Sequence, residues 1–95
     1  MHDIHEAHDR FYIGKDALHP EGHLQYTVEG KILTIWHTEV GDSLKGQGAG
    51  SALVAAAVNY ARLHGLLIRP VCSYALSQFE KKLEYQDVWY QDKVI

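Results

Sequence analysis

The chain has little of what marks a disulfide-rich, fibrous or membrane-spanning protein. Its 95 residues include one cysteine, two prolines and one methionine. The lone cysteine, Cys72, excludes an internal disulfide and a metal site with several thiolates, and it fits a reducing compartment. No apolar run comes close to the roughly 18 residues that a membrane-spanning helix needs. We therefore expect a cytoplasmic protein.

Neither positive nor negative charge dominates the sequence. The formal net charge is -3, and acidic and basic residues are mixed along the chain. A surface for nucleic acid or for an anionic membrane would need a basic cluster, which the sequence lacks. We therefore expect neither as a partner.

The composition is that of one small globular domain. Hydrophobic residues make up 46% and charged residues 22% of the chain. A chain of this length cannot divide its apolar residues between two cores. We predict a single domain over residues 10–95, preceded by a flexible N-terminus over residues 1–9.

That N-terminus carries His2, His5 and His8 at a regular spacing. On a helix they would lie roughly on one side and could chelate a metal. The alternative is a frayed, solvated terminus, because nothing apolar anchors it and no carboxylate or cysteine elsewhere is placed to complete a site. We favour the alternative and predict no metal site.

The periodicity of the remaining chain predicts strands and helices. Strands are predicted over Phe11–Ile13, His23–Glu29, Ile32–Val40 and Leu66–Cys72, the last ending or turning aside near Pro70. Helices are predicted from Ala49 to Gly65 and over Ala75–Leu83. This order favours a mixed α/β (α+β) fold with helices on one central sheet, in which the first helix connects neighbouring parallel strands.

A glycine-rich turn, Lys45-Gly46-Gln47-Gly48-Ala49-Gly50, lies between the third strand and the long helix. Glycines let the backbone approach a ligand closely, and the start of a helix offers unpaired N–H groups to an anion. Lys45 and Ser51 could add side-chain donors. A Walker loop would need a lysine after its glycines, and a Rossmann fingerprint would need a sixth-place glycine where Ser51 stands. The alternative is a turn that only joins strand to helix.

The turn resembles the acyl-CoA signature of the GNAT N-acetyltransferase superfamily, Arg/Gln-x-x-Gly-x-Gly/Ala, with Lys45 at the first position. Three further segments resemble the small single-domain YjdJ-type members: His37–Val40, Pro70–Tyr74 and Glu84–Val88. The resemblance implies a GNAT-like sheet with two splayed parallel strands and flanking helices. It also implies acetyl-CoA, or coenzyme A, as co-substrate and no metal.

The same resemblance implies where coenzyme A would bind. Its pantetheine would run beside Thr38, Glu39 and Val40, whose backbone would pair with it as a sheet edge pairs with a peptide. Its pyrophosphate would meet the amides from Gln47 to Ser51. The implied cofactor-binding residues are Thr38, Glu39, Val40, Lys45, Gly46, Gln47, Gly48, Ala49, Gly50 and Ser51.

Acetyl transfer to an amine needs a base, donors for the oxyanion and often an acid for the leaving thiolate. His37 and Glu39 share one face of the strand that should flank the thioester, so they could act together. Histidine titrates near neutrality unaided, whereas Glu39 would need a raised pKa or a bridging water. The alternative for both is a solvated residue at a strand edge.

Cys72 is the third catalytic candidate. As a thiolate it could accept the acetyl group, or as a thiol it could protonate the departing coenzyme A; the alternative is a small buried apolar residue. Many GNAT enzymes use a tyrosine on the last helix as the acid, and here Phe79 stands at that place.

We therefore predict an acetyl-CoA-dependent N-acetyltransferase acting on an unidentified amine. So short a chain leaves little protein for an acceptor pocket, so the amine could be presented by a macromolecule, or the pocket shared with another subunit. Phe79 motivates one alternative, a CoA-binding or acyl-CoA-sensing module without turnover. The aromatic tail Tyr85–Tyr90 motivates another, a structural partner-binding domain.

Overall fold

Within the part of the chain that the structure describes, five strands form one mixed sheet in which the order of strands follows the order of the chain. The computed structural model describes residues 2–91, so the outer ends of the predicted segments 1–9 and 10–95 lie outside the described residues. The strands are β1 (His5–Ala7), β2 (Arg10–Ile13), β3 (Gly22–Glu29), β4 (Ile32–Val40) and β5 (Leu67–Pro70). The helices are α1 (Ala49–His64) and α2 (Ser73–Lys81), with 3-10 turns over Asp42–Leu44 and Leu83–Val88. The predicted mixed α/β fold is confirmed.

Helix α1 connects β4 to β5, which lie side by side and parallel. Gly48 precedes the helix at φ 73° and Gly65 ends it at φ 66°, backbone conformations that side chains with a β-carbon rarely adopt. Its buried residues recur at helical spacing: Ala49, Leu53, Val54, Ala57, Val58 and Ala61. The helix therefore covers one face of the sheet.

The parallel pair separates halfway along β4. Pairing runs from Ile32↔Leu67 to Ile35↔Pro70, and β4 then continues to Val40 without β5, paired only with β3 on its other edge. Because proline has no N–H, β5 cannot continue the ladder at Pro70. The amides of Val71 and Cys72 instead both donate to the Ile35 carbonyl at 3.1 Å, which turns the chain away from β4. The predicted splay of two parallel strands is confirmed.

A β-bulge reverses which face each residue of β4 occupies. Tyr26 pairs with Ile35, but Gln25 pairs with His37, so Trp36 is an extra residue on β4. Beyond the bulge Thr38 lies opposite Leu24, a fully buried residue of the face that α1 covers. His37 and Glu39 therefore face away from α1.

The N-terminal segment differs from the predicted flexible, frayed terminus. His5–Ala7 pairs antiparallel with Arg10–Tyr12 as the edge strand β1. Ile4 packs against the core and is the apolar anchor that the sequence analysis missed. His2 extends further and makes a 2.8 Å hydrogen bond to the Gln47 carbonyl. A strand does not bring residues three apart to one face, so the histidines are not gathered as a helix would gather them.

Helix α2 begins earlier than predicted, at Ser73, and ends at Lys81. Leu83 therefore lies beyond it and is 82% exposed. The aromatic tail, whose exposure would have favoured the alternative of a partner-binding domain, packs inward at Tyr85 and Trp89. Tyr85 is 6% exposed, and its ring and that of Trp89 lie 5.3 and 5.8 Å from Phe79. No described helix is both long and apolar enough to span a bilayer.

Candidate active site

A cleft of about 360 Å³ opens where β4 continues without β5. It lies between the end of β4, the glycine turn and the first residues of α2. Its lining residues are Thr38, Val40, Leu44, Lys45, Gly46, Gly48, Ala49, Gly50 and Tyr74. Most of the predicted cofactor-binding residues are among them. Leu44 and Tyr74 line the cleft as well, although neither was predicted.

The glycine turn takes the backbone conformation that its sequence predicts. Gly46 and Gly48 have φ of 77° and 73°, in the left-handed region, and a β-carbon on either would meet only open space. Gly48 is the N-cap of α1, and in the described part of the chain no side chain caps this end of the helix. The amides of the first turn are thus free to donate to an anion in the cleft. The positive end of the helix dipole lies at the same place and also favours an anion.

Gly50 is needed for a different reason, the closeness of Tyr74. A β-carbon on Gly50 would lie 2.9 Å from both Cζ and the hydroxyl oxygen of Tyr74. Burial raises the pKa of Tyr74, and the negative charges of Cys72 and Tyr85 raise it further. Tyr74 therefore stays a neutral phenol at neutral pH and offers an O–H donor beside the turn.

Three predicted cofactor-binding residues do not line the cleft, namely Glu39, Gln47 and Ser51. The Gln47 backbone amide donates to the Leu44 carbonyl at 3.2 Å, and its side-chain amide donates to a second carbonyl of the preceding turn. The Ser51 hydroxyl donates to Gln78 on α2 at 3.2 Å and accepts from Lys82 at 3.0 Å. Both side chains hold the turn and the helices in place.

Lys45 lines the cleft, but its ammonium group points to a carboxylate. Its Nζ lies 3.0 Å from Asp42 Oδ1, and both side chains are largely exposed. An exposed ion pair of this kind contributes little to stability, so either side chain can take another partner at little cost. A phosphate in the cleft can therefore compete for Lys45.

Cys72 and Thr38 face each other across the gap between β4 and the chain after β5. The Cys72 thiol donates to Thr38 Oγ1 at 3.6 Å. Burial raises the pKa of Cys72. Once deprotonated, however, the sulfur can accept hydrogen bonds from the Ala75 amide, the Thr38 hydroxyl and the Tyr74 amide, and because these outweigh burial the net pKa is lowered. Cys72 is also the N-cap of α2, where a thiolate benefits from the helix dipole.

The predicted pair His37 and Glu39 is in contact, on the face of β4 away from α1. His37 Nε2 lies 3.1 Å from Glu39 Oε1, and both side chains are more than half exposed. The bulge at Trp36 produces this orientation and turns Thr38 and Val40 into the cleft instead. The two candidate bases thus lie on the opposite side of the strand from the cleft lining.

His23 completes this group and was not predicted. It pairs directly with Glu39 across the β3–β4 ladder, and its ring centroid lies 5.8 Å from that of His37. Burial lowers the pKa of His23, and the positive charges of Arg10 and His37 lower it further against the opposing effect of Glu39. His23 is therefore neutral over a wider pH range than a free histidine.

Phe79, which occupies the place of the family's tyrosine acid, is not at this site. It is fully buried and packs against the rings of Tyr85 and Trp89. Of the phenols in the described chain, Tyr74 is the one that lines the cleft. Its signal in the sequence was its position two residues after Cys72, at the start of the last helix.

Splayed parallel strands with a glycine turn at one end of the gap are the arrangement that the resemblance to the N-acetyltransferases implies. A sequence profile of the GCN5-related N-acetyltransferases matches residues 10–88. The chain therefore belongs to this family. A comparison with curated protein sequences finds no significant match. The narrower resemblance to YjdJ-type members stays a prediction.

Solved structures agree with the family. A GCN5-like protein from Staphylococcus aureus, described as a candidate N-acetyltransferase, is 37% identical with a TM-score of 0.78, and the match covers 96% of this chain and 90% of that one. The ribosomal-protein-S18-alanine N-acetyltransferase of Escherichia coli shares 16% identity and a TM-score of 0.61 over 76% of this chain and 49% of its own. A candidate acetyltransferase from Agrobacterium tumefaciens shares 24% identity and a TM-score of 0.59 over 90% of this chain and 61% of its own. The latter two show the fold alone.

Proposed function

We propose that the protein transfers an acetyl group from acetyl-CoA to a cationic amine. The observation that carries this is the cleft, which has helix-terminal amides at one end and Thr38 at the other. Cys72 does not line the cleft itself but contacts the Thr38 hydroxyl directly behind it. Such a site suits a ligand with a pyrophosphate at one end and a thioester at the other. Between them, the edge of β4 from Thr38 to Val40 has lost its partner strand and can pair with the amides of pantetheine.

The amine would reach the thioester from the other side of β4. There, a second cavity of about 320 Å³ includes His23 and Glu39 in its wall. Glu21 adds a second carboxylate, and among the described residues that line this cavity there is no lysine or arginine. The local charge favours an ammonium group over a carboxylate. A cationic amine, free or presented by a macromolecule, is therefore the acceptor class that we propose.

His37 and Glu39 would act together as the base. Their contact lets an amine proton pass to His37 while Glu39 stabilises the imidazolium that forms. The neutral amine nitrogen then attacks the thioester carbon, and the carbon–sulfur bond breaks with its electron pair leaving on the sulfur of coenzyme A. The second proton of the amine nitrogen passes to solvent as the amide forms, and His37 releases its proton to solvent before the next turnover. The opposite faces of β4 keep the base on the acceptor side and the thioester on the cleft side.

Cys72 would return a proton to the coenzyme A thiolate. Its lowered pKa makes it a stronger acid than an ordinary thiol, so transfer to the departing thiolate is downhill. Solvent then reprotonates Cys72. This assignment replaces the family's tyrosine with a group that lies on the cleft side of β4. A free thiol in this role needs a reducing compartment, and we therefore place the protein in the cytoplasm.

The test is a product assay with an amine panel. The full chain is incubated with acetyl-CoA and, separately, spermidine, a lysine-containing peptide and glutamate, and the acetylated products are measured by mass spectrometry. We expect transfer to the two cationic acceptors and little to glutamate. Tight binding of acetyl-CoA without product from any amine would contradict catalysis and favour a sensing module.

A further inference from the structure

Outside the cleft, His23, His37 and Glu39 bring three metal-ligating side chains together. One ligand atom from each lies within 4.8 Å of the other two. The sheet sets this arrangement, because His23 and Glu39 are direct cross-strand partners and His37 is two residues from Glu39 on the same face. The three β-carbons are thus fixed by paired strands, and only side-chain torsions remain free.

We propose that these three residues bind a zinc ion, and that zinc at this site switches off the acetyl transfer. Two imidazoles and one carboxylate form a nitrogen-and-oxygen donor set with an open fourth position, which zinc accepts. Calcium and magnesium prefer sites made of oxygen atoms alone. The chemistry therefore selects a transition metal of the zinc type.

The ligand atoms need only small movements to close around such an ion. Tetrahedral zinc with bonds of about 2.0–2.2 Å holds its ligand atoms roughly 3.3–3.6 Å apart. His37 Nε2 and Glu39 Oε1 are already 3.1 Å apart. Since the largest separation in the group is within 4.8 Å, a rotation of the partly exposed His23 ring is enough to bring its nitrogen into range.

The charges around the cluster permit a dication. Glu39 supplies one negative charge, and Glu21 lines the same cavity. Arg10 is the nearby positive charge that would repel a metal ion. Its Nε lies 3.1 Å from Asp9 Oδ1, and the Asp9 carboxylate offsets its charge. The net charge around the site is therefore close to zero or negative, and a dication can bind there without strong repulsion.

The switch follows from the identity of two ligands and rests on the proposed function. A metal on His37 and Glu39 occupies the lone pairs that would take the amine proton. Zinc therefore competes with catalysis without entering the acetyl-CoA cleft, since neither side chain lines that cleft. Acetyl-CoA binding should be unaffected by the metal.

The experiment uses the full chain, freed of metal with EDTA and titrated with zinc chloride or magnesium chloride by calorimetry and by NMR of the histidine rings. We expect one zinc per chain, shifts in the His23 and His37 rings, and no response to magnesium. His23→Gln should weaken zinc binding by more than about tenfold, the least that loss of even an outer-shell partner costs. The matched control His8→Gln changes an exposed histidine outside the cluster and should leave the zinc affinity unchanged.

Loss of zinc binding in the control, or its survival in His23→Gln, would assign the metal to other histidines and overturn the proposal. Circular dichroism of each variant shows whether it has folded. Transfer activity is then measured with and without zinc, each variant against its own metal-free rate. Zinc bound at the three residues without inhibition would overturn the switch. Zinc bound as predicted in a chain that acetylates nothing would overturn the proposed function and leave the metal site standing.

Discussion

Cys72 Sγ lies 3.6 Å from Thr38 Oγ1, across the gap where β4 and the chain after β5 separate. The two residues are distant in the sequence, and Pro70 brings them together by ending the parallel ladder. Their contact joins the end of β4 to the start of α2. It also places an acidic thiol beside the strand edge along which we expect pantetheine to lie.

The first prediction concerns the acidity of Cys72. Because hydrogen bonds to the sulfur outweigh burial and lower its pKa, the thiolate forms at lower pH than in a free cysteine. The rate of alkylation by iodoacetamide, followed against pH, should have its midpoint below that of a free cysteine in an unstructured peptide measured alongside. Thr38→Val removes one of those hydrogen bonds and should raise the midpoint.

Thr27→Val is the matched control for that measurement, since Thr27 bonds to Trp36 and lies away from the cleft. Its alkylation midpoint should equal that of the unmodified chain. The sign of the shift also fixes how stability depends on pH. A lowered pKa favours the folded state above the pKa of the unfolded chain, and this contribution is lost as the pH falls through the folded pKa. An alkylation midpoint at or above that of free cysteine would show that burial dominates.

The second prediction concerns the contact between Gly50 and Tyr74. Alanine is a better helix former than glycine by about 1 kcal/mol, and the φ of Gly50 is not in the left-handed region. Gly50→Ala should nevertheless lower the thermal stability and weaken coenzyme A binding, because the new methyl group would lie 2.9 Å from the Tyr74 ring and displace it. Isothermal calorimetry measures the affinity, and thermal unfolding measures the stability.

Gly50→Ala combined with Tyr74→Ala separates the two effects. Removing the ring should recover the stability that the single variant loses, without restoring the donor of Tyr74 to the cleft. If Gly50→Ala alone is more stable and binds coenzyme A normally, Tyr74 does not pack as described.

The third prediction concerns the His37–Glu39 pair. If the two act as one base, Glu39→Gln and His37→Gln should each lower kcat by about 10²–10⁴-fold, with little change in the KM for acetyl-CoA. The double variant should be hardly worse than either single one, because residues acting as a unit are not additive. Steady-state kinetics of all three variants gives the coupling.

Glu29→Gln, at the far end of β3, is the control for the loss of one exposed carboxylate and should leave kcat unchanged. Independent, additive losses would show that the two residues do not form a single base. An unchanged kcat in Glu39→Gln would remove Glu39 from the chemistry.

The fourth prediction concerns Phe79. Restoring the family's tyrosine by Phe79→Tyr should not raise kcat, because the ring is fully buried and packs on Tyr85 and Trp89. The added hydroxyl would be buried there, and a buried group without a partner costs about 1–3 kcal/mol. Chemical denaturation should show this loss of stability. A higher kcat with unchanged stability would mean that the ring reaches the cleft.

Most of the fold could be predicted from periodicity and from the glycines. Local sequence patterns predict the hairpin, the crossover helix and the strand that ends at Pro70. The glycine turn predicts where the cleft lies. The first strand could not be predicted, because its three residues, His5, Glu6 and Ala7, are too few to show an apolar alternation and their pairing depends on Ile4 and on β2.

The bulge at Trp36 is what the sequence did not reveal about the site. Extending the regular hairpin register would pair His37 with Leu24 and turn it toward the core, whereas the bulge pairs it with Gln25. The shared face of His37 and Glu39 follows from alternation alone, but which face it is does not. His23 was missed for the same reason, since the unbulged register pairs it with Thr38 and not with Glu39.

Binding of coenzyme A in the cleft can be observed residue by residue in a titration of the full chain with coenzyme A, followed by backbone amide NMR. We predict saturable shifts in the glycine turn and the first turn of α1, from Gly46 to Ser51, together with Thr38, Val40 and Tyr74. Val28 and Gly30, at the distant end of the hairpin, should not move. If the amide signals of Gly46 to Ser51 do not shift at millimolar coenzyme A, the glycine turn only connects the strand to the helix. The cleft would then not bind coenzyme A.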